Sequence, residues 1–207
     1  MHHAYETVGR HGLLNNAYQN NMLQKLVMES IDADLTVPHP SFVDRYFTKK
    51  YQVDVRGSTG EDQCILVHTN KLFVITVAPS HPILHQKKTV TKINFKVSDN
   101  VDRLENKAVG KSKKNASKLT QWSPLCHITC SDNTTYTLCS CVRGVLLEIN
   151  EQLVEKPELL HEEPQERGYV AIVMSDLKDF PKEVEKLMSA EDYHDLLEKR
   201  KTGESNN

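Results

Sequence analysis

The sequence predicts an all-β domain, and three stretches carry that expectation. Cys64–His68 and Leu72–Val77 are continuous apolar runs parted by Thr69-Asn70-Lys71. Leu125–Cys130 and Thr135–Cys141 are rich in β-branched, aromatic and Cys residues, with Ser131-Asp132-Asn133-Thr134 between them. A third set of short apolar runs follows Gly144 and Gly168. Such residues fit a pleated, half-buried surface, and polar turn-formers between two runs mark a hairpin. Asp132-Asn133 can adopt the positive φ angles that a tight turn demands.

The elements can be justified in order. Residues 1–40 are rich in Asn, His and Gln and are expected to form a disordered extension. Leu13, Leu14, Ala17, Leu23, Leu26 and Val27 have helical spacing, weakened by the Asn pairs at 15–16 and 20–21. Pro38-His39-Pro40 ends this region, because residues before proline are pushed towards extended conformations. The domain proper is expected over 41–175. In Ser41–Tyr51, Phe42, Tyr46 and Phe47 are spaced to share a helical face and are expected to anchor in the core. Thr89–Val97 reads as a strand. Residues 176–207 are expected to hold a C-terminal helix near 190–200, with Pro181 marking a helix start. Ser189 stands as a cap before Glu191 and Asp192, and Lys199-Arg200-Lys201 complements the carboxyl end.

Residues 103–118 break the β pattern with a basic loop. Arg103, Lys107, Lys111, Lys113, Lys114 and Lys118 face only Asp102 and Glu105 as acids in the 102–120 stretch. Gly110-Lys111-Ser112 fails as a phosphate-binding loop, because Glu105 stands where the motif needs glycine. The loop therefore reads as solvated surface or as a docking patch for an acidic partner or phosphates.

Composition narrows the function classes. A net charge of −2 leaves any attraction to nucleic acid or acidic protein to local patterning. A hydrophobic content of 38% and a mean hydropathy of −0.53 suit one domain with polar tails. No apolar run reaches membrane-spanning length, and no secretory signal is visible at the amino terminus. Five cysteines are an odd set and point to free thiols. Cys126, Cys130, Cys139 and Cys141 could be drawn as a zinc site, but neither pair has the two-residue knuckle, and packing as small hydrophobes is the stronger reading. His81, between Ser80 and Pro82, is the most conspicuous histidine, with no partner that spacing can place beside it. No nucleophile, metal or dinucleotide motif assembles, and no enzyme is expected.

Two resemblances add to this reading. The run from Cys139-Ser140-Cys141-Val142-Arg143-Gly144 through Asn150, Lys156-Pro157-Glu158-Leu159-Leu160 and Gly168-Tyr169 resembles the second half of a lipoyl/biotinyl barrel-sandwich hybrid. The H protein of the glycine cleavage system is the cofactor-bearing relative. That resemblance places the cofactor lysine at the hairpin tip eleven residues before Gly144, where this chain has Asn133. An amide cannot be lipoylated or biotinylated, so a barrel without a cofactor is expected.

Val43-Asp44-Arg45-Tyr46-Phe47, Glu61 to Leu66, Leu72 to Thr76 and Ser80-His81-Pro82 together resemble the Simiate/Abitram family. Ser123 to Cys126, Cys130-Ser131-Asp132 and Ser140 to Gly144 fit it as well. The resemblance implies a non-enzymatic protein that binds monomeric and filamentous actin, with roles in actin remodelling and transcription regulation. It implies residence in the nucleus, including nuclear speckles, and in the cytoplasm at cytoskeletal sites: filopodium, lamellipodium, growth cone and other cell projections. It assigns no contact residue; the basic loop is the physical candidate, since actin is acidic overall. A degenerate carrier-like module that binds RNA or a nuclear processing complex is the alternative.

Overall fold

A computed structural model describes residues 41–110 and 113–203. The expected extension over 1–40, its helical spacing at 13–27 and the tail at 204–207 lie outside the described residues.

The long sheet forms where the sequence has its apolar runs. β1 (Thr48–Gln52), β2 (Gln63–His68) and β3 (Leu72–Val77) form an antiparallel meander. The chain then passes through one helical turn, α2 (Pro82–His85), to β4 (Val90–Asn94), β5 (Lys96–Ser98) and β6 (Val101–Asp102). The expected strand over 89–97 is thus broken at Phe95, which turns inward and is buried. β7 (Lys118–Leu119), β8 (Pro124–Cys130), β9 (Thr135–Cys139) and β10 (Gly144–Ile149) follow. Two short helices, α3 (Gln152–Glu155) and α4 (Leu159–Glu162), come next, and β11 (Ala171–Met174) closes the barrel. With β12 (Met188–Ser189) at one edge, the strand order is β12-β1-β2-β3-β11-β10-β7 in one sheet and β4-β8-β9 in the second; β5 and β6 pair separately.

Register explains the core. Strand side chains alternate between faces, so directly opposed residues share one. Ile65, Ile75 and Ala171 are opposed in one row, and Val67, Phe73, Val173 and Leu146 in the next. They meet Ile93, Ile128, Leu125 and Leu138 of the second sheet in a single buried cluster. Leu153, Leu159 and Leu160 seal its end. Removing this apolar surface from water, at about 25 cal/mol per Å², is what holds the sheets together.

The far face of the long sheet has its own cover. α1 (Phe42–Tyr46) and α6 (Ala190–Thr202) bury Val43, Tyr51, Cys64, Leu66 and Tyr193. The Tyr51 and Tyr193 rings stack at 3.9 Å and 9°. α5 (Phe180–Glu185) and β12 (Met188–Ser189) lead into α6. Ser189 Oγ accepts from Asp192 N–H at 3.0 Å, the cap that the sequence suggested. Expectation fails for α1: Phe42 and Tyr46 are 59% and 52% exposed, and Val43 is the anchor. One turn of helix offers too little periodicity to show which side faces inward.

A buried carboxylate fastens α6 to the barrel. Asp62 is fully buried. Its Oδ1 accepts from Asp54 N–H at 2.8 Å; its Oδ2 accepts from Ser80 Oγ at 2.7 Å, Tyr193 Oη at 3.1 Å and the Arg200 guanidinium at 2.6 Å. Arg200 also reaches Asp54 at 2.8 Å. Arg200 therefore does more than complement the helix terminus.

Candidate functional site

The tip of the β8–β9 hairpin is where a carrier of this kind would present its lysine. Asn133 sits there, exposed, with φ of 62°. Its N–H donates to Cys130 O at 3.0 Å, and Cys130 N–H donates to Thr134 O at 2.9 Å, closing the turn. Asp132 Oδ1 accepts from Thr134 N–H at 3.0 Å and from Thr134 Oγ1 at 2.6 Å. An amine does approach the tip from the α2–β4 connection. Lys88 Nζ donates to Asp132 Oδ2 at 2.8 Å and to Thr134 Oγ1 at 3.1 Å, and lies 5.4 Å from the Tyr136 ring centroid.

The Asp132 hydrogen bond holds Lys88 protonated above the usual lysine range, and Lys88 in turn holds Asp132 below the usual carboxylate range. Asn133 at the apex offers an amide, and the Lys88 amine beside it is tethered to Asp132 and Thr134. The residues at the tip thus do not fit a lipoyl or biotinyl attachment. Intact mass of protein from its native source is expected to equal that of the chain without either group. An adduct on any lysine would show that the tip is misassigned.

The basic loop divides into a fixed root and an exposed tip. Arg103, expected at the surface, is buried. Its Nε donates to Pro124 O at 3.0 Å, and its own N–H donates to Phe95 O at 3.0 Å. Burial lowers its pKa from the ordinary arginine value, and it braces the loop instead of offering a contact. Asn106 clamps the next step: Nδ2 donates to Leu146 O at 3.0 Å and Oδ1 accepts from Ser117 N–H at 2.8 Å. The Asn106 clamp and β7 together cover one edge of β10.

Beyond the clamp the chain folds back on itself. Val109 and Lys114 bridge, with Gly110, Lys113 and Asn115 at positive φ. Lys107 and Lys114 are exposed and Lys113 is half-buried; Lys118 is exposed on β7, and Lys111 lies outside the described residues. Lys107, Lys113 and Lys114 thus stand in and beside the turn closed by the Val109–Lys114 bridge, Lys118 lies on β7, and Arg103 leaves the set. Val109, 59% exposed at the same turn, was missed because sequence spacing there carries no pattern.

The other residues considered for chemistry are structural. His81 is buried and caps α2, its Nδ1 accepting from Ile83 N–H at 3.2 Å. That bond places the remaining proton on Nε2, and burial pushes the pKa down to about 4, so the ring is neutral. All five cysteines are buried and unpaired. Burial pushes the Cys64 thiol up to about 12 and also raises Cys126, Cys130, Cys139 and Cys141. No cluster of potential metal ligands occurs among the described residues. Cys139 and Cys141 do not stand on one strand face, because β9 ends at Cys139 and Cys141 turns at φ of 59°.

Comparison with known proteins agrees with this geometry. The family described as "Glycine cleavage H-protein" matches residues 86–200. Protein Abitram of Danio rerio is 45% identical over 78% of this chain and 91% of its own length. Protein Abitram of Homo sapiens is 46% identical over 78% and 89%, and that of Dictyostelium discoideum 39% over 75% and 87%. A crystal structure of a glycine cleavage system H protein from Mycobacterium marinum superposes with a TM-score of 0.47 at 11% identity, covering 70% of this chain and 93% of that one. The β-rich barrel, its hairpin tip occupied by Asn133 and the match along most of the chain have one conclusion: the chain belongs to the Abitram family, built on a glycine cleavage H-protein-like barrel-sandwich hybrid.

Proposed function

We propose that this protein is a non-enzymatic actin-binding module that engages monomeric and filamentous actin. It acts in actin remodelling and transcription regulation, in the nucleus, including speckles, and at actin-rich cell projections. The resemblance to the Abitram family is what favours actin as the partner. The single structural observation in favour is the basic tip: Lys107, Lys113 and Lys114 project from a root fixed by Arg103 and Asn106. A fixed root lowers the entropy lost when the tip is immobilised on a partner, and clustered cations speed encounter with an acidic surface.

Each exposed pair contributes only about 0.2–1 kcal/mol, so no one lysine is decisive. The combined variant Lys107→Glu, Lys113→Glu, Lys114→Glu adds repulsion and is expected to weaken actin co-sedimentation at least about tenfold, equal to about 1.4 kcal/mol. Its thermal midpoint should stay within about 2 °C of the parent, because surface changes away from the core cost little. Unchanged pelleting at low and moderate salt would remove the loop from the interface. Excess polyanion in a parallel arm separates an RNA-binding module, whose affinity would fall along a counterion-release slope.

A further inference from the structure

Among the described residues the outer face of the long sheet is only partly covered, and register shows which part is left more open. Tyr51, Cys64 and Thr76 are opposed in one row. Tyr193 of α6 stacks on Tyr51, and the Thr76 hydroxyl donates to Pro164 O. Two residues further along the strands lies the row Lys49, Leu66, Val74, Ile172, Glu148, each opposed to the next across β1, β2, β3, β11 and β10. Leu66, Val74 and Ile172 form the floor of a groove of about 370 Å³. Phe42, Val43 and Phe47 wall it on one side, and Gln165, Glu166 and Tyr169 on the other. Val74 and Ile172 are half-buried, and Phe42 is 59% exposed beside them. The walls are fixed: Tyr169 Oη donates to Glu148, and Phe47 N–H donates to Val43 O at 2.9 Å.

We propose that this groove receives an amphipathic α-helix of a partner protein other than actin, with Lys or Arg flanking its apolar stripe. The floor strands β2, β3 and β11 are each paired on both sides, so no backbone edge is free for an added strand. An occupant must bury side chains while satisfying its own backbone, which a helix does. The fold already covers the adjoining row of this face with α6, a helix. Charge selects the flank: Glu166 lines the groove and Glu148 ends the row, whereas Lys49 at the other end is paired with Asp44 at 2.7 Å. Aromatic side chains beside an apolar floor are the composition of interface hot spots.

The probes are three synthetic helical peptides: one with Leu at i, i+4 and i+7 and Lys on both flanks, one with Glu flanks, and a scramble of the first. Methyl NMR of the full chain is expected to show the Val74 and Ile172 signals shifting with the Lys-flanked peptide, which binds at least about tenfold tighter than either other. Phe42→Ser, an exposed change that spares the core, is expected to weaken it about tenfold. Actin pelleting is expected to be unaffected by saturating peptide, so loss of the actin reading leaves this one standing. Equal binding of the scramble, preference for Glu flanks, silent Val74 and Ile172 methyls, or displacement of actin would each overturn the proposal. So would sedimentation showing two copies of the chain joined here and parted by Phe42→Ser.

Discussion

Replacing Asp62 by Ala is expected to lower stability by about 2–4 kcal/mol, seen as a fall of about 5–10 °C in the thermal midpoint. Four donors converge on this fully buried carboxylate, and its removal leaves the Asp54 N–H, one arm of Arg200 and one of the mutually bonded Ser80 and Tyr193 hydroxyls without an acceptor. The loss stays near the lower part of the range for broken buried ion pairs because Arg200 is 26% exposed and keeps Asp54. Burial alone would raise the Asp62 pKa, but hydrogen bonds from Asp54, Ser80 and Arg200 outweigh it and hold the group below the usual aspartate value. A depressed folded-state pKa gives stability that is full above the unfolded value, near 3.9, and fades as pH falls through the folded value. The gap between parent and Asp62→Asn should therefore narrow in acid. A constant gap from pH 7 to pH 2.5 would show that ionisation of Asp62 is not its source.

Gly168→Ala is the second large effect, about 3 kcal/mol or more by urea unfolding. A Cβ built at Gly168 would lie 2.0 Å from Leu159 O and 2.8 Å from Glu163 O, both backbone atoms that no rotamer change can move. The segment has no slack. Gly168 N–H donates to Glu163 O at 2.8 Å, and buried Asn150 donates to Arg167 O at 2.7 Å and Tyr169 O at 2.8 Å. The same segment lines the groove through Gln165, Glu166 and Tyr169, so the Lys-flanked peptide should lose affinity in parallel. A loss below about 1 kcal/mol would mean that the connection between α4 and β11 yields more easily than its hydrogen bonds imply.

The parts of this molecule that local chemistry dictates were legible in the sequence. The hairpins at 64–77 and 125–141 follow from apolar runs parted by turn-formers, and Asn133 takes the positive φ expected of it. The Ser189 cap and the helix over 190–202 are likewise written in a few adjacent residues. What escaped depends on distant partners. Arg103 looked like loop surface because its acceptor, Pro124 O, belongs to a strand 21 positions later. Arg200 looked like a helix-end charge because Asp62 is 138 positions earlier. The groove escaped because Leu66, Val74 and Ile172 become neighbours only through strand pairing, and each alone reads as an ordinary strand residue.

The long reach from Asp62 to Arg200 also sets when the chain can finish folding. A polypeptide emerges from the ribosome amino end first, so Asp62 and the Tyr51–Cys64 side of the sheet exist long before their cover does. Until α6 leaves the tunnel, that carboxylate lacks its cation and those aromatic and aliphatic side chains face water. The meander β1–β3 cannot become the finished structure as soon as it is made; it must wait, exposed, for Arg200, 138 positions beyond Asp62. Chains stopped short of Arg200 would therefore reach the cell as sticky, unfinished barrels, and a fusion partner is better attached ahead of Phe42 than grafted within α6.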